Sequence, residues 1–174
     1  MRRLILLRHA KSDRPAGVAD RERPLNDRGR RTAPAVGAHL AKEGFRPDLA
    51  LVSTALRTRE TWDAMAAALG NPETRLQPEI YEAPARRILD VIKTAPDTAA
   101  AVIVVGHNPG LGDLAVDLAG EGPRAARDRL ALEFPTAAYA VIEFDAAHWS
   151  EIASDRGRLE RFVRPRDIDP DLAG

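Results

Sequence analysis

Leu4-Ile5-Leu6-Leu7 is a run of four apolar residues near the start of the chain, and Arg8-His9 follows it directly. A short apolar run of this kind predicts a strand buried on both faces, as in a parallel sheet with helices on each side. Ligands of such sheets bind at the carboxyl ends of the strands. The run therefore predicts an arginine and a histidine side by side at a binding site.

A second apolar run, Val102-Ile103-Val104-Val105, leads into Gly106-His107-Asn108-Pro109-Gly110. It repeats the pattern of the first run, because a histidine again follows a buried strand. Two strands that each end in a histidine predict one pocket that contains two imidazoles.

Segments that resemble strands alternate with segments that resemble helices along the chain. Further strands are predicted over residues 48–52, 76–80, 138–144 and 158–163, and helices over 26–44, 53–69, 84–94 and 109–119. Asn26 and Ser53 are candidate helix caps, and Pro34 predicts a kink or a later start of the first helix. This alternation predicts an α/β fold: a single-domain, three-layer α/β/α sandwich around a mostly parallel central sheet.

Composition narrows the functional class. The chain has 174 residues, and its 26 basic side chains balance its 26 acidic ones, which gives no reason to expect nucleic acid or an anionic membrane as a partner. It contains no cysteine, so disulfides and thiol nucleophiles are excluded. No apolar stretch approaches the roughly 20 residues of a membrane span, and we expect a cytoplasmic protein. We expect one domain over residues 1–164 and a loosely held tail over 165–174.

Charged side chains collect at the predicted strand ends. The candidate residues are Arg8, His9, Arg57, Glu82 and His107, with Arg23 added from the first loop. Arginine forms paired hydrogen bonds with phosphate oxygens and stays charged at physiological pH. Three arginines around one point suit a dianionic, tetrahedral ligand, and they would stabilise the charge of a phosphoryl group in transfer.

The histidines add a nucleophile to this set. A neutral imidazole is available near pH 7 and can attack phosphorus, provided that its other N–H is held by an acceptor such as a carbonyl in the turn after His9. Glu82 or a water is the candidate proton donor to the leaving group. Ser53 and Asn108 are predicted first as caps and second as phosphate contacts.

The sequence resembles the histidine phosphatase (phosphoglycerate mutase-like) superfamily. Leu6-Leu7-Arg8-His9-Ala10-Lys11-Ser12 is similar to its arginine-histidine-glycine signature, with Ala10 in place of the glycine. Three later blocks match in order: Arg23-Pro24-Leu25 with Gly29, Val52-Ser53 with Arg57 and Thr61, and Gly106-His107-Asn108-Pro109. The match extends over residues 4–144 and is most similar to the short bacterial phosphohistidine phosphatases of the SixA type.

This resemblance implies specific roles. His9 would be the phosphorylated nucleophile, Arg8, Arg57 and His107 would form the phosphate pocket, and Arg23 would also reach the phosphate. It implies no metal and no organic cofactor, and a histidine phosphatase domain over residues 1–164. Short members of the family often lack an acidic proton donor, which leaves the role of Glu82 open.

The chain leaves little room for a lid, because one helix and one strand fill the segment between Glu82 and His107. An open pocket suits a phosphate presented on a protein surface, so we predict a monomeric phosphatase that acts on protein phosphohistidine. One alternative is a phosphatase of small phosphoesters with the same site, and another is a non-catalytic phosphate-binding module. A histidine-metal hydrolase is disfavoured, because few carboxylates accompany the two histidines.

Overall fold

Seven strands form one sheet within residues 1–172, the part of the chain that the computed structural model describes. They are β1 (Arg2–Arg8), β2 (Leu49–Val52), β3 (Glu73–Leu76), β4 (Ala101–Gly106), β5 (Ala119–Glu121), β6 (Tyr139–Phe144) and β7 (Gly157–Val163). Their order across the sheet is β3-β2-β4-β1-β6-β7-β5. β6 is antiparallel to both of its neighbours, β1 and β7, and the other neighbouring pairs are parallel. The prediction of a mostly parallel sheet is confirmed.

Helices cover both faces of this sheet. They are α1 (Asp27–Lys42), α2 (Leu56–Asp63), α3 (Ala85–Lys93), α4 (Gly110–Leu118), α5 (Arg124–Leu132) and the short α6 (Pro165–Ile168). Single 3₁₀ turns lie at Asp20–Glu22, Ala67–Leu69, Pro78–Ile80, Trp149–Glu151 and Pro170–Leu172.

The central strands divide their side chains between two cores. Leu4 and Leu6 of β1 join the core that contains the buried residues of α3, α4 and α5. Ile5 and Leu7 join the core that contains the buried residues of α1. Because successive side chains of a strand point to opposite faces, one apolar run serves both cores, and the predicted three-layer sandwich is confirmed.

The register of β1 on β4 positions the two histidine turns. Leu7 pairs with Val105 and Arg8 with Gly106, so the two strands end at the same edge of the sheet. The backbone N–H of His9 then donates to the carbonyl of Gly106 at 3.1 Å. Arg8-His9 and Gly106-His107 therefore leave the sheet side by side.

The first helix begins where its cap predicts and continues through a proline. Asn26 accepts a hydrogen bond from the N–H of Gly29 at 2.9 Å, and α1 extends from Asp27 without the later start that Pro34 suggested. Pro34 is exposed, whereas Ala33, Val36 and Leu40 of the same helix are buried. The carbonyl that loses its partner at the proline lies on the face that water reaches, so the core side of the helix is unaffected.

Several other boundaries differ from the sequence-based expectations. The helix expected over residues 53–69 is shorter, because α2 has Ala55 at its N-cap and is followed by a separate 3₁₀ turn. The extended segment expected over 76–80 lies earlier, as β3, with a 3₁₀ turn over Pro78–Ile80. The sequence predicts neither β5 nor α5, and only Leu130 of that helix is buried.

The C-terminal segment is packed rather than loosely held. Pro165 of α6 is buried, and Ile168 packs against the core that contains α1. Arg164 donates to Glu133 at 3.1 Å and to Asp167 at 2.9 Å, which ties the start of α6 to the end of α5. The last two residues of the expected tail, 173–174, lie outside the described part of the chain.

Candidate active site

The two imidazoles lie together at the carboxyl ends of β1 and β4. The ring centroids of His9 and His107 are 5.4 Å apart, with 56° between the ring planes. Both side chains are almost fully buried, at 8% and 2% exposure. The structure thus brings together the two histidines that the strand pattern pairs.

His9 is held with one nitrogen bound and the other unbound. Its Nδ1 lies 2.7 Å from the carbonyl oxygen of Ala10, which can only accept, so Nδ1 carries the proton. The lone pair is then on Nε2, which is the form that a nucleophile needs. Burial, together with the charges of His107, Arg8 and Arg57, lowers the pKa of His9 to about 3 against the bond to Ala10. His9 is therefore neutral at pH 7.

His107 has a different set of partners. Its Nε2 lies 2.7 Å from the hydroxyl of Ser53, and its buried Nδ1 has no hydrogen-bond partner within residues 1–172. A carboxylate oxygen of Glu82 lies 3.4 Å from that Nδ1. Burial and the charge of Arg57 lower the pKa of His107 to about 4, against the opposing charge of Asp20. An anion at Nδ1 would favour the protonated ring.

Arg57 is the most buried cation of the group, at 2% exposure. It lies in the first turn of α2 and donates to the carbonyl of Asp20 at 2.8 Å, to its carboxylate at 3.1 Å and to Glu82 at 2.8 Å. A phosphate that reaches Arg57 must therefore compete with two carboxylates. Both carboxylates are half exposed, so they can move aside.

Arg8 leaves part of its guanidinium unsatisfied. One terminal nitrogen donates to the carbonyl of Phe134 at 3.0 Å, whereas its buried Nε has no partner within residues 1–172. Burial lowers the pKa of Arg8 below its usual value, and the charge of Glu82 opposes this shift. An anion beside Arg8 would compensate the cation for its lost hydration.

These groups line an open cleft of about 430 Å³. Its lining consists of Arg8, His9, Lys11, Ser12, Arg14, Asp20, Arg23, Arg57, Glu82, His107, Asn108 and Thr136. Lys11 and Arg14 are exposed at its rim, whereas His9 and His107 are buried at its base. Arg57, which is buried like the two neutral rings, and Arg8 supply positive charge inside the cleft, and Lys11 and Arg14 supply it at the rim.

Three predicted phosphate contacts have their polar atoms engaged elsewhere. Arg23 lines the cleft but donates to Asp13, Asp20 and Ser12 of its own loop. Asn108 also lines it, and its amide bonds Phe134 and the N–H of Gly112, which agrees with its predicted capping role. Ser53 is fully buried and does not belong to the lining, because its hydroxyl contacts His107 instead.

Asp20 and Tyr81 are site residues that sequence reasoning missed. Asp20 accepts from the Tyr81 hydroxyl, Arg23 and Arg57, and these bonds hold the pKa of its carboxyl well below the usual range. The edge of the Tyr81 ring meets His107, with centroids 5.6 Å apart. No spacing signal identifies Asp20, because 37 residues separate it from Arg57 and it lies in a loop without periodicity.

Two glycines permit the close backbone approaches that shape the cleft. A Cβ on Gly29 would lie 2.1 Å from the carbonyl oxygen of Lys11, and a Cβ on Gly110 would lie 1.9 Å from that of Ala83. The first contact presses the loop after β1 against α1. The second presses the loop that carries Glu82 against α4, so a side chain at either position would push a wall of the cleft outward.

Within residues 1–172, no three His, Asp or Glu side chains form a group that could hold a metal ion. None of the described helices combines the length and the apolar character that a membrane crossing requires.

Comparison with known proteins identifies the family. The family model of the histidine phosphatase superfamily (branch 1) matches residues 4–85. An uncharacterised protein of Mycobacterium tuberculosis is 35% identical over 162 residues, which cover 92% of this chain and 100% of that protein.

Two solved structures are similar over nearly the whole chain. One from Agrobacterium tumefaciens is 32% identical with a TM-score of 0.80, over 94% of this chain and 98% of that one. Another from Nakamurella multipartitia is 29% identical with a TM-score of 0.84, over 94% and 96%. Both carry the provisional name phosphohistidine phosphatase SixA. The chain is a phosphatase of the α/β type, and it belongs to the histidine phosphatase superfamily as a SixA-type member.

Proposed function

We propose that this phosphatase works through a covalent phosphohistidine on His9 and that its substrate is a phosphohistidine on another protein. The observation that carries the proposal is the 2.7 Å contact of His9 Nδ1 with the carbonyl of Ala10. It leaves Nε2 as a neutral nucleophile, and the cleft places arginines beside it.

In the first step, His9 Nε2 attacks phosphorus in line with the bond to the leaving group. A bond from Nε2 to phosphorus forms while the substrate's nitrogen–phosphorus bond breaks, and the leaving imidazole keeps the electron pair and takes a proton. In the second step, a water attacks the same phosphorus, which releases phosphate and returns His9 to its neutral form.

Arg8, Arg57 and His107 hold the transferred group in this proposal. Arg8 offers its unsatisfied Nε, Arg57 exchanges a carboxylate for a phosphoryl oxygen, and His107 donates from Nδ1 once it is protonated. These donors stabilise the charge that builds on the phosphoryl oxygens in transfer. Arg23 would reach the edge of the phosphate by exchanging a bond within its own loop. Asn108 supports the cleft wall through its bond to Phe134, and Ser53 acts through His107.

The open cleft favours a phosphate that a protein presents. Its rim consists of charged, exposed side chains such as Lys11 and Arg14, and it offers little apolar surface to enclose a small metabolite. The nitrogen leaving group of a phosphoramidate also departs more readily than the oxygen leaving group of an ester, because protonation of the nitrogen activates it. Glu82, which is half exposed and paired with Arg57, is then an optional proton donor.

A small phosphoester is the second candidate substrate. The observation that favours it is the cationic rim, since Lys11 and Arg14 could bind a second anionic group of a phosphorylated metabolite. Both candidate substrates place their phosphate in the same pocket, so the enzyme must distinguish them by the leaving group.

A substrate panel at neutral pH, with chelator present, tests the proposal. We expect kcat/KM for a phosphohistidine-containing phosphotransfer protein to exceed that for phosphotyrosine and sugar phosphates. Faster turnover of a sugar phosphate would favour the small-ester function. Tight phosphate binding without any phosphate release would instead indicate a module that only recognises phosphate.

Rapid acid-free quenching tests the intermediate. Wild-type enzyme given radiolabelled phosphohistidine protein should carry an acid-labile, base-stable label on the peptide that contains His9. A label on another residue, or turnover without a label at any time point, would contradict the nucleophile assignment.

A further inference from the structure

The hydroxyl of Thr61 connects the turn that carries His9 to the helix that carries Arg57. Thr61 is fully buried in α2, and its Oγ1 lies 3.0 Å from the backbone nitrogen of Ala10 and 2.7 Å from the carbonyl oxygen of Arg57. An amide N–H can only donate and a carbonyl oxygen can only accept. Both bonds therefore have one direction: Ala10 donates to Thr61, and Thr61 donates to Arg57.

Ala10 needs this partner because the sheet has ended. β1 stops at Arg8, and the N–H of His9 already takes the carbonyl of Gly106, the last residue of β4. Ala10 is fully buried, so its N–H is away from water, and within residues 1–172 the acceptor it has is the Thr61 hydroxyl. Buried amides are nearly always paired, which makes this hydroxyl a structural requirement of the turn.

Ala10 is also the residue that sets the proton position on His9. Its carbonyl oxygen accepts from Nδ1 at 2.7 Å, and the opposite tautomer would place the Nδ1 lone pair against that oxygen. Thr61 anchors the N–H of the same residue whose C=O holds His9. We infer that Thr61 is a positioning residue, which fixes the reactive tautomer of His9 through Ala10 and ties it to the Arg57 turn of α2.

This inference rests on the proposed function for its kinetic consequence, because it concerns the nucleophile of that mechanism. Its physical content, a single tautomer of His9 maintained by Thr61, can be measured without turnover. The two can therefore fail separately: an unlabelled His9 removes the function, whereas an unchanged tautomer in a variant removes the role of Thr61.

Thr61→Val tests the inference, because valine keeps the shape and removes both hydrogen bonds. The matched control is Thr32→Val in α1: Thr32 is also buried, and its hydroxyl makes the same type of bond to the carbonyl four residues earlier, at 2.8 Å from Arg28, without touching the cleft. The readout is the ¹⁵N chemical shifts of His9, which distinguish a protonated from an unprotonated ring nitrogen.

In the wild type and in Thr32→Val, we expect one protonated Nδ1 and one unprotonated Nε2. In Thr61→Val, the two shifts should move toward each other, and kcat should fall about tenfold or more with a smaller change in KM, as for a misoriented catalytic group. Thr61→Ser, which retains the hydroxyl, should restore both. A single Nδ1-protonated tautomer in Thr61→Val would overturn the inference, whatever the activity.

A second variant covers the case in which buried valine prevents folding. Thr61→Ala removes the hydroxyl without adding a branched side chain, and hydrogen exchange at the Ala10 amide reports directly on the lost bond. Faster exchange at Ala10 together with mixed His9 tautomers supports the inference. Unchanged exchange, or faster exchange with an unchanged tautomer, overturns it.

Discussion

The turns after β1 and β4 look alike in sequence, and they hold their histidines in different ways. His9 gives its Nδ1–H to a backbone carbonyl, that of Ala10, at 2.7 Å. His107 places its Nε2 against a hydroxyl, that of Ser53, at the same distance. A carbonyl can only accept, whereas a hydroxyl can accept or donate.

This difference separates a fixed nucleophile from an adaptable proton site. His9 is confined to one tautomer with its lone pair on Nε2. His107 can gain a proton while Ser53 rotates its hydroxyl to accept, and a carboxylate oxygen of Glu82 lies 3.4 Å from its Nδ1. This difference predicts that changes at the His9 turn abolish phosphate release. Changes around His107 should instead alter the rate of phosphate release and its pH dependence.

The largest expected effect follows from His9→Ala. Removal of the ring removes the atom that we propose to bind phosphorus, so phosphate release and the acid-labile label should both disappear. Vanadate should still bind, because Arg8 and Arg57 remain, and isothermal titration measures this. His148→Ala is the matched control, since His148 is an exposed histidine outside the cleft. Substantial residual turnover in His9→Ala would show that another residue attacks.

Arg57→Ala should have the next largest effect. Loss of a buried, positioned cation should raise the activation free energy by about 2–4 kcal/mol, which lowers kcat/KM roughly 30- to 1,000-fold. It should also weaken vanadate binding. Arg59→Ala provides the control in the same helix, because Arg59 donates to the carbonyl of Thr54 and does not line the cleft. Equal rates for the two variants would place Arg57 outside the phosphate pocket.

The pH dependence of stability tests the burial of both rings. Histidine has an ordinary pKa of 6.5, and burial lowers it to about 3 for His9 and about 4 for His107. Between these values and 6.5 the unfolded chain binds more protons, so the free energy of unfolding must fall as pH falls below about 6.5. At pH 5 each histidine should account for about 2 kcal/mol of this loss relative to pH 7.

Urea denaturation at pH 7 and pH 5 measures that loss. His9→Gln and His107→Gln should each remove about 2 kcal/mol of the difference between the two pH values, whatever they do to stability at pH 7. A variant that leaves the full difference in place would show that its histidine is not held neutral. Inorganic phosphate would sharpen the comparison, because an anion at Nδ1 should favour protonated His107.

The parts of the site that sequence predicted are those fixed by strand ends. Arg8-His9 and His107 follow apolar runs, and the parallel register of β1 on β4 brings any two such ends together. Arg57 lies in the first turn of α2, and its role in the site is implied by the resemblance to a family motif. The sandwich itself followed from the alternation of apolar runs and helical segments.

The parts that sequence could not supply depend on tertiary contacts of loops. Asp20 reaches Arg57 only because the loop after β1 folds back, and its partner Tyr81 lies 61 residues further along the chain. Ser53 was read as a cap because serine favours helix starts, whereas the fold uses its hydroxyl for His107. The helix α5 was missed because its single buried residue, Leu130, gives almost no apolar periodicity.

Glu82→Gln should have the smallest and most selective effect. Glu82 lies 3.4 Å from His107 and 2.8 Å from Arg57, and its side chain is half exposed to solvent. An alkoxide leaving group needs a proton donor, whereas an imidazole leaves readily once its nitrogen is protonated. Hydrolysis of alkyl phosphates should therefore fall about tenfold or more, and that of phosphohistidine protein less than about threefold.

Glu79→Gln is the matched control, because Glu79 is an exposed glutamate in the preceding 3₁₀ turn and does not line the cleft. Equal losses for both substrate classes in Glu82→Gln would mean that Glu82 acts by orienting Arg57 or His107 and not by proton transfer. The adaptable proton site would then consist of His107 and Ser53 without Glu82. The leaving group would take its proton from water with both substrate classes.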